Sequence, residues 1–480
     1  ASRIPNNFLL PAATEAVEGN IMNVIEAIAR WCCSQPDFST TARRKAREAI
    51  TDTLACLYAG QDDFSSRAVR AASESYFTPQ ARCRLAGGGR APAAIAAMVN
   101  GTAAHAIDYD DNFAPGMSHA SAVLVPALLA VADDIHASGE QLVKAYLIGL
   151  QAQAFVGSGV APSHYTAGWH GTSTVGCIGS AAGVAWLMGL DQAGIARALS
   201  NAVSFASGTK GQFGTPIKPL HAGWAARNAV DAANFARQHM QGRIDILDAP
   251  QGFLEMFGGL TPPGWNIPAI LGTHFHVIET TGVMPKRHPC CGSTHMIIDA
   301  LDDLRAQHDF SDDDVLTVDT LVGIANLRNL AYPLPVNEMQ ARFSMQYCVD
   351  TWLRNGSLSV ADFTPARVAE LTEPARLARI SLRCYTPEQE AETPPGDRLT
   401  HEVTLTLRDG RTLQAARKLA KGSNSEPFSD ADRLRKFTDC CTTMSNASDL
   451  FRQLNRLEEQ EDLGFLAPLL GESLRDGAQG

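Results

Sequence analysis

The 480-residue chain predicts a mainly α protein, in which a large all-α domain is joined to a smaller α+β domain. Residues 21–273 are rich in alanine, carry helical spacing, and place glycines at the joints between apolar segments. From residue 274 to about 420 β-branched residues and alternating segments take over, as strands require. Residues 421–475 return to amphipathic helix and are expected to rejoin the first domain. The length alone exceeds what one ordinary compact core accommodates.

Residues 1–20 read as a loose leader, after which IMNVIEAIARWCC opens the helical part. TARRKAREAITDTLACLYAG ends on Gly60, expected as a C-cap. PAAIAAMVNGTAAHAID is a small-residue helix that runs into three aspartates, Asp108, Asp110 and Asp111. SHASAVLVPALLAVADDIHASG follows, with Ser118 as expected N-cap and Gly139 as stop. Pro126 is expected to kink that helix or shift its start. STVGCIGSAAGVAWLMGL and QAGIARALSNAVSFASG continue the pattern, and HAGWAARNAVDAANFARQHM aligns its alanines along one smooth face.

Beyond residue 274, HFHVIETTGVMPKR is rich in β-branched residues, and VLTVDTLVGI and LARISLRCY read as strands. STHMIIDALDDLRAQH is an amphipathic helix among them. HEVTLTLRDGRTLQAARK reads as a hairpin turning at Asp409-Gly410. Residues 387–398, PEQEAETPPGDR, are expected as an exposed loop, and DADRLRKFTDCC and ASDLFRQLNRLEEQ as closing helices.

The net charge of −11 comes without any Lys/Arg-rich block, which argues against nucleic acid and anionic membrane as partners. No run of about 18 uncharged apolar residues predicts a spanning helix. The eleven cysteines include three adjacent pairs and no CxxC, so reduced thiols in a cytoplasmic compartment are expected. GxGxxG, Walker A, GxSxG and HExxH are all missing, so nucleotide-cofactor, α/β-hydrolase and zincin chemistry lose support.

Four stretches concentrate polar chemistry. The first is AIDYDDNFAPGMSHAS, where the aspartates read either as a solvated turn or as carboxylates poised for proton transfer. A calcium loop would need a later Glu, and none follows in time. In HYTAGWHGTSTVG, His170 precedes a helix start, as a plain loop residue or as a group beside free N–H donors. In GTPIKPLHAGWAARN, Lys218 opposes the dipole of the helix it opens, a poor choice for stability and a reasonable one for holding an anion. MPKRHPCCGSTHM places Lys286, Arg287 and His288 before another helix start. Zinc on Cys290, Cys291, His288 and His295 is weakly supported, because adjacent cysteines without a second pair are not ligand spacing.

Taken in this order, NGTAAHAIDYDD with SHAS, GWHGTSTVG, KPLHAGWAARN and KRHPCCGSTH resemble the MmgE/PrpD family, over residues 25–470 or so. That family includes 2-methylcitrate dehydratase, cis-aconitate decarboxylase and iminodisuccinate epimerase. The resemblance implies a helical domain built from both chain ends, residues 21–273 and 421–475, with an α+β lid at 274–420. It also implies a homodimer, a cleft between the domains, and no metal or organic cofactor. Carried over by motif, Asp108, His119, His170, Lys218 and Lys286 are the expected catalytic residues, with Asn112, Tyr165, Arg287, Cys291 and Ser293 expected to bind substrate. Decarboxylase-like members often carry Thr where Asn112 stands and His where Cys291 stands, and the loop from Asp108 to His119 is one residue longer here.

The reaction expected is proton transfer at a carbon next to a carboxylate of a small di- or tricarboxylate. Cations stabilise the charge that develops, and His119, His170 and Asp108 flank the carbon as acid and base. A lyase of the dehydratase or decarboxylase type is the first expectation. An epimerase with Tyr165 as second acid is the alternative. More remote are a DxDD-type terpene cyclase, which needs an aromatic-lined pocket although aromatics are only 7% of residues, and a non-catalytic helical scaffold.

Overall fold

A computed structural model describes residues 22–34, 37–279, 282–394 and 397–471. The leader therefore lies outside the described residues. The helices of eight residues or more in the first part are α1 (Val24–Ser34), α2 (Thr40–Gly60), α3 (Phe64–Ser73), α4 (Ala93–His105), α5 (Ala120–Ile135), α6 (Gly139–Ser158), α7 (Val175–Leu187), α8 (Gln192–Val203) and α9 (Ile217–Arg237). Later come α10 (Gly292–Gln307), α11 (Met345–Asn355), α12 (Asp430–Cys440) and α13 (Ala447–Leu454).

The apolar side chains separate into two clusters. One gathers residues between Val24 and Val283 and takes in Phe437 to Leu470 near the chain end. The other runs from Cys290 to Leu413. Within the first, α9 lies along α4, and α6 along α7. The approach of α9 to α4 is close because of glycine. A Cβ on Gly223 would stand 2.2 Å from Thr102 Oγ1 and 2.5 Å from the Met98 carbonyl. The expected alanine face of α9 is buried along its length, from Ala222 to Ala236.

The second cluster packs α10 and α11 against a four-stranded sheet of β5 (Val315–Val322), β6 (Ile380–Cys384), β7 (His401–Leu407) and β8 (Thr412–Arg417), in the order β6-β5-β7-β8. β5 and β6 are parallel and the other pairs antiparallel, and β7–β8 is the expected hairpin, with Gly410 at φ 89° in its turn. Three two-residue strands precede β5 along with a fourth that pairs across the molecule: β1 (Cys83–Arg84) pairs with β2 (Arg90–Ala91), and β3 (Asn112–Phe113) with β4 (Val283–Met284). The β3–β4 ribbon matters most, because it joins the aspartate stretch to the segment entering the second cluster.

Several local expectations are corrected. Gly60 is the last residue of α2 and is followed by Gln61 in the right-handed region, so it is no left-handed cap. It is small because α4 passes there: an added Cβ would lie 2.1 Å from the Ala103 carbonyl. His119, not Ser118, is the N-cap of α5, and His136 at φ 57° ends that helix. Gly139 instead begins α6 behind a Ser138 capping box. Pro126 stands inside α5, leaving the Ala122 carbonyl without its usual donor. Among the described residues of HFHVIETTGVMPKR, only β4 is strand. The expected loop at 387–398 begins with one helical turn, Pro387–Ala391, capped by Thr386.

Candidate active site

The chain leaves α4 at His105 and turns sharply, with Asp108 held at φ 53° in the left-handed region that non-glycine residues avoid. Such strain persists where surrounding contacts over-determine it, and here they do. Lys218, in the first turn of α9, donates to Asp108 Oδ1 at 2.5 Å. Lys286, two residues beyond β4, lies 3.1 Å from Oδ2 and donates to the Asp108 carbonyl at 2.7 Å. Both ammonium groups and the carboxylate are buried. The glycine-lined contact of α9 with α4 delivers the first lysine, and the β3–β4 ribbon delivers the second.

Burial alone would raise the Asp108 carboxyl, but Lys218 and Lys286 outweigh it and hold the group well below the usual carboxylate range. Burial likewise works against the Lys286 ammonium, and Asp108 with Asp110 reverses this and raises its pKa. The three groups Asp108, Lys218 and Lys286 together carry +1, with the Asp110 carboxylate next to them.

Four histidines stand beside this group. His105 Nδ1 contacts both Asp110 oxygens, at 3.0 and 2.9 Å, and its Nε2 lies 2.9 Å from Lys218 Nζ. An ammonium can only donate, so Nε2 is the acceptor and Nδ1 carries the proton given to Asp110. His105 is thus neutral: burial pushes it down to about 4, with Lys218 adding to the effect against Asp110. Burial opposes ionisation of Asp110, and the imidazoles of His105 and His119 overcome it, keeping the carboxyl far down. His119 Nδ1 is 3.2 Å from Asp110 Oδ2 without hydrogen-bond alignment. Its backbone N–H donates to Thr172 Oγ1 at 2.9 Å.

His170 Nδ1 meets His221 Nδ1 at 3.0 Å, while His170 Nε2 is buried with no hydrogen-bond partner. Burial, then Lys218 and His221, hold His170 well below its ordinary value. Burial also lowers His119, against Asp110, and lowers His221 to about 4. The turn at Gly171 locks His170 to the loop before His119, since a Cβ there would lie 2.4 Å from the Gly116 carbonyl.

These groups open on a cavity of about 430 Å³ with walls from both clusters. Asp108, Asn112, His119, Tyr165, His170 and Lys218 form one side, and Cys291 and Ser293, at the start of α10, belong to the other. Ser293 Oγ accepts from Asn326 and Asn329 at 3.1 and 3.2 Å, and Asn329 also donates to the Tyr165 hydroxyl at 3.1 Å. Burial raises both the Cys291 thiol and the Tyr165 phenol, so each is neutral. Phe213 and Phe343 put their rings 5.4 and 5.3 Å from Lys218 Nζ and keep water from it.

Nine of the ten expected residues therefore gather at this cavity, Lys286 from behind Asp108. Arg287 does not. Its guanidinium bonds Asp299 at 3.1 Å and Asp302 at 2.5 Å, away from the cavity wall, held there by these two carboxylates of α10. Reading by motif missed His105, Asp110 as its partner, and His221. Their signals are present: His105 lies five residues before Asp110, and His221 one helical turn after Lys218.

Among the described residues, two groupings here offer metal-ligand atoms, His105 with His119 and His170, and His105 with Asp108, Asp110 and His119. Both ring nitrogens of His105 are engaged, however, and two ammonium groups repel a dication. The third grouping, His288 with Asp299 and Asp302, is occupied by the Arg287 guanidinium, and none includes a cysteine.

The MmgE/PrpD N-terminal domain model matches residues 26–266, and the MmgE/PrpD C-terminal domain model matches residues 288–459. The chain belongs to the MmgE/PrpD family. Among its relatives, cis-aconitate decarboxylase of Homo sapiens is 30% identical over 393 residues, 79% of this chain and 80% of that protein. The Mus musculus enzyme of the same name is 29% identical, covering 81% of each chain. The cis-aconitate decarboxylase-like protein oryM of Aspergillus oryzae is 25% identical over 94% of this chain and 98% of its own length. With this membership the chain is an enzyme, a lyase of that type.

Proposed function

We propose that the cavity decarboxylates a small tricarboxylate of the cis-aconitate kind, with Asp108, Lys218 and Lys286 as its electrostatic centre and His119 and His170 as proton donors. The observation that carries the reading is the buried, net-positive Asp108–Lys218–Lys286 group beside a histidine nitrogen that has no partner.

The chemistry follows from the substrate. When the CH2-borne carboxylate of cis-aconitate leaves as carbon dioxide, its electron pair runs through the double bond to the carbon bearing another carboxylate. Negative charge grows on that carboxylate, and a proton added to the carbon completes the reaction, one proton per carbon dioxide. Cations preorganised around the growing charge lower the barrier most in a water-poor site. Lys218 faces the cavity and supplies this. Asp108 holds Lys218 in place and Lys286 adds charge behind it. Burial keeps His119 and His170 neutral by themselves. A carboxylate arriving beside them favours the imidazolium, so the donor is charged when substrate is present.

The second cluster acts in this reading as a lid over the first, with the β3–β4 ribbon as its tether. Eleven cysteines, all free, suit a reducing cytoplasmic compartment. A homodimer accompanies the family resemblance, and sedimentation measures it. No helix among the described residues is long and apolar enough to cross a membrane.

Incubation with cis-aconitate, citrate, 2-methylcitrate and iminodisuccinate in deuterated water, followed by NMR, tests the reading. Carbon dioxide release from cis-aconitate, with one deuterium at a carbon next to a carboxylate, is expected. Deuterium entering iminodisuccinate without loss of mass, and no release from cis-aconitate, would replace it with the epimerase.

A further inference from the structure

A tricarboxylate presents more charge than the Asp108 centre can meet. One terminal carboxylate leaves, the other receives the developing charge beside Lys218, and the central one does neither. A carboxylate about to leave is best kept from strong cations, which would stabilise the ground state. The central carboxylate still needs a counter-charge.

The second cluster provides one. Arg398 lies just before β7 and lines the same cavity as Lys218, His119 and His170. Its side chain is partly buried and has neither an ion pair nor a hydrogen bond among the described residues. Burial alone lowers its pKa, with no carboxylate answering. Half-buried arginines elsewhere in this cluster are paired: Arg376 and Arg379 reach Asp312 and Asp350, and Arg417 reaches Asp303 and Glu426. A guanidinium partly withdrawn from water without a partner gives up hydration for nothing in return, and a ligand carboxylate offsets that loss through two parallel hydrogen bonds.

We infer that Arg398 is the anchor for the central carboxylate of the substrate and makes the site select tricarboxylates over dicarboxylates. The inference rests on the carboxylate reading of the cavity. It gives the cavity two cationic poles, Lys218 on the first cluster and Arg398 on the second, and a bound tricarboxylate ties the clusters together.

Tricarballylate and glutarate test this without turnover, because they differ only in the central carboxylate. Calorimetric titration of the full chain should show tricarballylate binding more tightly. In Arg398→Gln its affinity should fall about 10–100-fold, the worth of a charge-assisted hydrogen-bonded pair. Glutarate should change less than about threefold, and Arg398→Lys should fall between. The melting temperature should hold, since the side chain has no protein partner to lose. Equal affinity of parent and Arg398→Gln for tricarballylate, or equal losses for both probes, would overturn the assignment while leaving the carboxylate site in place. A parent that binds neither probe would overturn the carboxylate reading as well.

Discussion

Lys218 and Lys286 share one carboxylate: Nζ of the first is 2.5 Å from Asp108 Oδ1, and Nζ of the second 3.1 Å from Oδ2. One lysine comes from a helix of the first cluster and the other from the segment leading into the second. The charge centre is therefore also a structural clasp. Asp108→Asn keeps the shape and leaves two buried ammonium groups facing an amide. Removing one partner of a buried pair costs about 3–5 kcal/mol. Urea unfolding should show a loss of that size together with nearly abolished turnover. Unchanged stability would contradict the clasp.

The helix contact behind Lys218 gives a second test. Gly223→Ala puts a methyl 2.2 Å from Thr102 Oγ1. Relief requires α9 to move off α4, and overpacking of this kind costs about 1–3 kcal/mol. Because Lys218 lies one turn away on α9, turnover per folded molecule should fall too. A variant with reduced stability and full turnover would separate the two roles.

Much of this was legible in the sequence because the polar groups cluster in four short stretches, and the helix starts holding Lys218 and Ser293 carry local signals, whereas His170 stands before the turn that leads to Thr174, the N-cap of α7. Convergence was less legible. The β3–β4 ribbon is only two residues per strand, too short for periodicity to reveal, yet it places Lys286 on Asp108 across 178 residues. His105 was overlooked because small apolar residues surround it and its second partner, Lys218, meets it only once α9 packs on α4. Arg287 was misplaced because motif adjacency to Lys286 says nothing about where each side chain finds its partner, and two carboxylates of α10 draw the guanidinium away. Arg398 carries no local signal at all, since its meaning lies in a missing counter-ion.

Asp111 supplies a test of pH dependence. Its carboxyl is pushed up to about 7 by burial, with Asp110 and Asp52 adding to the effect and Ser121 opposing it. In the unfolded chain it titrates near 3.9. The folded protein thus holds a proton that the unfolded chain has released, and between these values Asp111 makes stability fall as pH rises. Asp111→Asn removes that slope. The variant should gain on its parent by about 2 kcal/mol between pH 5 and pH 8, measured by urea unfolding at both. A stability difference independent of pH would show that Asp111 ionises normally.

Engaged nitrogens on His105 and the two ammonium groups at Asp108 argue that no divalent ion takes part. Dialysis against EDTA should leave turnover intact. Loss of activity restored by one divalent ion would contradict this.

His170 and His119 carry the last prediction. His170 Nε2 is buried without a partner at the cavity, and His119 lies against Asp110 with its backbone fixed by Thr172. If these rings deliver the proton, Gln in place of either keeps much of the shape and hydrogen bonding but removes the titration. Turnover should then fall by roughly 10²–10⁴-fold, the usual range for general acid–base catalysis. Affinity for tricarballylate should change far less, because binding rests on Lys218 and Arg398. Folding should hold as well, since neither ring closes an ion pair of the kind that binds Asp108. A purely structural role inverts the pattern, lowering the melting temperature while leaving turnover per folded molecule near normal. Both quantities measured on His170→Gln and His119→Gln separate the cases. Turnover within about threefold of the parent in both variants would remove the histidines from proton delivery and leave Lys218 or Tyr165 to donate.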